Sequence, residues 1–201
     1  MKILALDPGT TTGWAVGSPG ETPVWGARNL GVGKSSGQVI SVFRAWLNTI
    51  IYQEKPSLIA FEAPYIARAG AAKPGGPPPQ NAMVLRRLLA LVGQIEAIAF
   101  ELRIEVCESP TQEFCKYFTG KGRWPGGRDE KKRQTILACH RYGWLDVSED
   151  SADALSLLAF AESIIAPEIA SRRRAGAGEE LPLYGTLNAP AQARIGRRVL
   201  S

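Results

Sequence analysis

The sequence predicts an α/β domain: a mixed five-stranded sheet with helices on both faces. Three observations predict it. Short apolar runs over 2–6, 13–17 and 24–30, divided by turn-forming Gly, Ser and Pro, have the length and punctuation of meandering strands. Two further short apolar runs, 57–61 and 104–107, alternate with long stretches of helical spacing. That order lays helices over both faces of one sheet.

Each element has its own signature. Lys2 to Leu6 reads as a short buried strand, Gly13 to Gly17 as a second and Val24 to Leu30 as a third. Over Gln38 to Gln53, Val39, Val42, Phe43, Trp46, Leu47 and Ile50 recur at helical spacing, and Pro56 marks the stop. Ser57 to Phe61 is the fourth strand and ends on Glu62. The segment Ala63 to Gln80, with its KPGGPPPQ run, lacks the apolar content to pack a core and predicts a mobile loop. Asn81 is placed to cap an apolar helix reaching Leu102. Ile104 to Cys107 is the last strand. Ser109-Pro110 opens a helix with Pro at its first position. Helices over Asp129–Tyr142 and Asp150–Ile165 follow. From Pro167 the apolar content falls, so the prediction is a folded domain over 1–165 and a flexible basic tail over 166–201.

At 201 residues the chain has room for one sizeable core with an appendage. A net charge of +5 fits a nucleic-acid partner without requiring one. The opening apolar run is stopped by Asp7, too early for a signal-peptide core, and Met83–Phe100 is broken by Arg86, Arg87, Gln94 and Glu96. No membrane partner is expected, and the expected location is the cytoplasm. Cys107, Cys115 and Cys139 have neither zinc-site nor disulfide-framework spacing and read as buried reduced thiols. His140 has no usual ligand spacing to its neighbour Cys139 and is assigned no role.

The acids carry the chemistry. Asp7 and Glu62 each stand at the C-terminal end of a short apolar strand, the edge where sites form in open α/β sheets. Asp150 and Asp153, three residues apart in EDSADALSLLAF, share a helix face, and Ala152, Ala154, Leu155, Leu157 and Leu158 surround Asp153. An acid on so apolar a surface must be paired, capping or cation-bound. Each has a plainer reading: Asp7 can open a turn, Glu62 can mark a strand leaving the core, Asp150 can be the helix N-cap, and Asp153 can complement the first helical turn. A site for hard divalent cations gives all four one reason to be there. Two such ions can activate water and stabilise the leaving oxygen of a phosphodiester.

LALDPGTTTGWAV, LIAFEAP and DSADALSLLAF resemble the three acidic motifs of the RuvC-type Holliday junction resolvases, within the RNase H-like superfamily. The likeness spans Met1 to Ile165 and is most specific in the run Asp150-Ser151-Ala152-Asp153-Ala154-Leu155. It implies an RNase H-like sheet and a crossover junction endonuclease acting in recombination, repair or phage DNA processing. The implied cofactor is Mg²⁺ or Mn²⁺, two ions per site, held by Asp7, Glu62, Asp150 and Asp153. The implied partners are branched DNA and a second copy of the chain, since a two-fold junction needs two sites. Lys131 matches the family's active-site lysine, with Lys121 as the other candidate. Lys121, Arg123, Arg128, Lys131, Lys132 and Arg133 would contact DNA phosphates. Tyr65 would stack at the junction centre. The short first turn, the loop Pro74–Pro79, the Trp124-Pro125-Gly126-Gly127 insert and the tail are departures that look like phage or prophage members and bear on sequence preference.

Rival readings exist. DPGTTTG also resembles the first phosphate loop of the actin, Hsp70 and sugar-kinase superfamily. That architecture needs a second lobe and a second such loop, and the sequence carries no second copy, so no nucleotide cofactor is expected. A noncatalytic DNA-binding protein of the same fold would not need all four acids. A nuclease for flaps, forks or RNA–DNA hybrids would carry the same acids.

Overall fold

A computed structural model describes residues 1–31, 33–66 and 82–178. Their elements are β1 (Ile3–Asp7), β2 (Thr11–Gly17), β3 (Val24–Asn29), α1 (Ser36–Glu54), β4 (Leu58–Glu62), α2 (Ala82–Leu102), β5 (Glu105–Ser109), α3 (Thr111–Thr119), α4 (Gly127–Arg141), α5 (Glu149–Ile165) and α6 (Pro167–Gly176). The strands form one mixed sheet in the order β3-β2-β1-β4-β5. β1, β2 and β3 pair antiparallel, while β4 runs parallel to both β1 and β5. Among the described residues, no helix is long and apolar enough to cross a membrane.

Alternation along the strands sorts their side chains between two cores. Leu4, Leu6, Val16, Ile59 and Phe61 pack with Phe43 and Leu47 of α1 and Leu91 and Ile95 of α2. Ile3, Ala5, Ala15, Leu58, Ala60 and Cys107 pack under α3, α4 and α5. The second face is built of small residues where α5 crosses it. Alanines at 5, 15 and 60 meet alanines at 152, 154, 159 and 161, so backbone approaches backbone. That close approach explains why α5 is apolar nearly all round: Ser151, Ala152 and every residue from Ala154 to Glu162 are buried. Burial also raises the Cys115 and Cys139 thiols to about 12 and Cys107 to about 11, as expected of inert core thiols.

The elements match the sequence expectations to within a few residues, with three differences. Pro110 is the N-cap of α3 rather than its first helical residue. Ser148, not Asp150, caps α5: its side chain accepts from the Ser151 amide while the Ser151 hydroxyl accepts from the Ser148 amide. The capping reading of Asp150 is thereby replaced, and its carboxylate is left for another use. Residues 167–176, expected to begin a flexible tail, form α6 instead. Ala170 is buried there, and Arg173 pairs at 3.2 Å with the buried Glu162 of α5. Asn81, residues 67–80 of the expected loop and residues 179–201 lie outside the described residues.

Candidate active site

Strand register brings the first two acids together. Leu6 pairs with Phe61 across the parallel β1–β4 ladder, and Asp7 and Glu62 are the next residues of their strands. Asp7 continues the face of Ile3 and Ala5, and Glu62 that of Leu58 and Ala60, so both carboxylates rise toward α5. The first turn of α5 sits directly above that edge. A Cβ placed on Gly13, the β2 partner of Asp7, would come within 1.9 Å of the Asp150 carbonyl oxygen. Asp150 and Asp153 therefore meet Asp7 and Glu62 in one cleft of about 200 Å³, whose walls also carry Glu149, Arg128, Lys131 and Lys132.

The turn after Asp7 is closed on itself. The buried Thr12 hydroxyl donates to the Gly9 carbonyl at 3.0 Å and accepts from the Gly9 amide at 3.4 Å. Arg87 of α2 reaches Thr10 Oγ1 at 3.4 Å from outside. These bonds shape the loop that follows the aspartate.

Electrostatics in the cleft are unbalanced. Burial first, then the Glu62 and Asp153 carboxylates, raise the Asp7 carboxyl well above its ordinary range. Burial also raises Asp153, against the pull of Lys131. The Lys131 ammonium stands 3.2 Å from Asp153 Oδ1 and 3.4 Å from Oδ2. Burial presses the Lys131 ammonium down, but Asp153, Cys115 and Glu62 outweigh it and hold its pKa above the ordinary value. Asp153 Oδ1 is buried and, despite that ion pair, has no hydrogen bond. Four acids thus share one inner cation.

The donor set is all oxygen, and its negative charge exceeds what the protein supplies to neutralise it. Those properties fit a hard divalent cation. As the side chains stand, no three His, Cys, Asp or Glu groups among the described residues close around one point. One of the four carboxylates, Asp153, is held by the Lys131 ammonium.

The other expected residues fall in two groups. Arg128, Lys131 and Lys132 line the cleft with the acids. Lys121, Arg123, Arg133 and Tyr65 do not line it. Lys121 lies 5.1 Å over the Trp124 ring, Arg133 is tied to Glu130 at 2.8 Å, and Arg123 and Tyr65 are exposed. The sequence reading missed Glu149, which bonds to Lys132 across the cleft mouth. It also missed Thr111, whose hydroxyl bonds to Glu62. The serine pair Ser148 and Ser151 was the one available signal, because it moves the cap and turns Glu149 into the helix.

No protein-family model matches the sequence, and no curated protein matches it. Solved structures do. Thermus thermophilus RuvC superposes at a TM-score of 0.56 with 16% identity, over 89% of this chain and 97% of that one. T. thermophilus RuvC in complex with Holliday junction substrate superposes at 0.58, also with 16% identity, over 89% and 96%. The fold is accordingly the RuvC-type, RNase H-like fold that the acidic motifs implied.

Proposed function

We propose that this chain is a divalent-metal-dependent endonuclease that resolves four-way DNA junctions by paired nicks. The observation that carries the reading is the meeting of Asp7, Glu62, Asp150 and Asp153, from three separate elements, beside Lys131 in one cleft. The shared fold supports it, since T. thermophilus RuvC has been solved with a Holliday junction substrate.

Asp7, Glu62, Asp150 and Asp153 would hold Mg²⁺ or Mn²⁺, two ions per site. Bound there, such ions lower the pKa of water and stabilise charge on phosphate oxygens. The protein's own groups do the rest. The four carboxylates concentrate cation affinity at the sheet edge. Lys131, already charged and held by Asp153, places an ammonium where a scissile phosphate would enter. Arg128 and Lys132 stand at the mouth to receive flanking phosphates, and Lys121, Arg123 and Arg133 extend that positive surface. Tyr65, 65% exposed three residues after Glu62, offers a stacking face for an unpaired base. Two sites are needed for paired nicks, so the active form is a homodimer. Met83, Val84, Leu89, Phe100 and Leu102 of α2 expose apolar surface suited to that contact. The protein would act in the cytoplasm of a bacterial cell, on host or phage DNA.

The test is a cleavage assay with labelled four-way junction, flap, RNA–DNA hybrid and plain duplex, in Mg²⁺, Mn²⁺ or EDTA. Wild-type protein is expected to place symmetric, metal-dependent nicks near the junction centre. Asp7→Asn is expected to bind the junction without cutting it. Full nicking by Asp7→Asn would overturn the assignment.

A further inference from the structure

We propose that Thr111 is a positioning residue that fixes the orientation of the Glu62 carboxylate for cation binding, an inference that rests on the nuclease reading above. Thr111 Oγ1 donates a hydrogen bond to Glu62 Oε1. Thr111 is the first residue of α3, and Pro110 at the cap contributes no side-chain bond. The hydroxyl nearest the helix start is thus turned to the carboxylate. The backbone makes this meeting reproducible. Glu62 is the β4 partner of Ser109, and the Ala63 amide donates to the Ser109 carbonyl at 2.9 Å. Thr111 stands two residues beyond that pairing.

α3 is itself anchored, with Phe114, Cys115 and Phe118 buried and Ser156 Oγ donating to the Phe114 carbonyl at 3.5 Å. A helix that contributes no acid to the cleft therefore braces its Glu62 side. Glu62 is held from the α3 side by Thr111. Hydroxyl-to-carboxylate bonds of this kind restrict a ligand's rotamers before the cation arrives, and losing such a partner lowers metal affinity or activity by about 10–100-fold.

The experiment uses full-length Thr111→Val, which keeps the shape and removes the hydroxyl, and Thr111→Ser, which keeps the hydroxyl. Mn²⁺ affinity is measured by titration calorimetry, junction affinity in EDTA, and single-turnover cleavage in Mn²⁺. Thr111→Val is expected to lose about 10–100-fold in Mn²⁺ affinity and in cleavage, with junction affinity and Tm unchanged. Thr111→Ser is expected to recover both. Wild-type Mn²⁺ affinity in Thr111→Val overturns the assignment, and so does equal loss in both variants with a lowered Tm. Asp7→Asn is the control for the underlying reading. Wild-type protein that takes up no Mn²⁺ overturns both. Mn²⁺ uptake abolished by Asp7→Asn but untouched by Thr111→Val overturns the role of Thr111 alone.

Discussion

Gly13 is the position where the site's geometry is most exposed to a single atom. It pairs with Asp7 in the β1–β2 ladder and lies under the first turn of α5. In Gly13→Ala the new Cβ would stand 1.9 Å from the Asp150 carbonyl oxygen and 2.5 Å from its carbon. A carbon tolerates a carbonyl oxygen at about 3.3 Å, so either α5 or the sheet edge must retreat by roughly 1.4 Å. Neither obstacle is a flexible side-chain end; both are backbone, and α5 is buried at every residue from Ala154 to Glu162. Overpacking of this size costs about 1–3 kcal/mol, which in a domain of this length lowers Tm by about 2–4 °C per kcal/mol. The displacement separates Asp150 and Asp153 from Asp7 and Glu62. A misplacement of about 1 Å at a reacting site costs on the order of 10²-fold in rate. Single-turnover cleavage of a four-way junction, a thermal melt and junction affinity in EDTA measure the three consequences. Cleavage is expected to fall about 10²-fold with junction affinity nearly intact. Gly37→Ala, in the first turn of α1 with nothing within 4 Å of its new Cβ, serves as the control and is expected to be neutral or to stabilise by up to about 1 kcal/mol. Unchanged Tm and cleavage in Gly13→Ala would refute the close approach of α5 as what aligns the acids.

Three further outcomes follow from the same structure. The Asp7 carboxyl has a raised pKa in the fold, so its contribution to stability is complete below the ordinary carboxylate range of about 4 and is lost as pH rises through the folded value. Metal-free wild-type protein should melt at lower temperature as pH rises from that range, and Asp7→Asn should flatten the dependence and raise Tm at neutral pH; thermal melts in EDTA across pH check it. Lys131→Ala should slow cutting on the order of 10²-fold while weakening junction binding much less, measured by saturating single-turnover cleavage beside binding in EDTA. Arg173→Ala should leave the buried Glu162 without its ion partner and free the Glu21 carbonyl that Arg173 bonds at 2.7 Å. Breaking such a buried pair costs about 3–5 kcal/mol, read as a lowered denaturation midpoint and early proteolysis of α6.

Much of the candidate site was legible because its acids break local patterns. Asp7 and Glu62 end runs that are otherwise apolar, and Asp153 interrupts a helix that is otherwise core. A residue that violates its own periodicity announces itself without any neighbour being known. Other features were not legible because each depends on a partner far along the chain. Thr111 looks like an ordinary first-turn threonine until β4–β5 pairing sets it against Glu62, 49 positions away. Glu149 looks like a solvated helix acid until Lys132 faces it. The cap of α5 was misplaced for a local reason: Ser148, Asp150 and Ser151 can all cap, and the serine pair wins by bonding reciprocally. α6 was missed because its sequence is short, charged and weakly amphipathic. Its hold comes from Arg173 reaching Glu162 and from the cover over Ala170.

Alternation and helical spacing by themselves determined which elements form and which side of each is apolar. Burial of apolar surface is a property of each segment and leaves its period in the sequence. The tertiary structure alone decided the order β3-β2-β1-β4-β5, which makes β1 and β4 parallel neighbours and sets Asp7 beside Glu62. It also decided how near α5 comes to that edge, through Gly13 and the facing alanines. Those distances depend on volume left empty between two segments, and absent atoms leave no period to read.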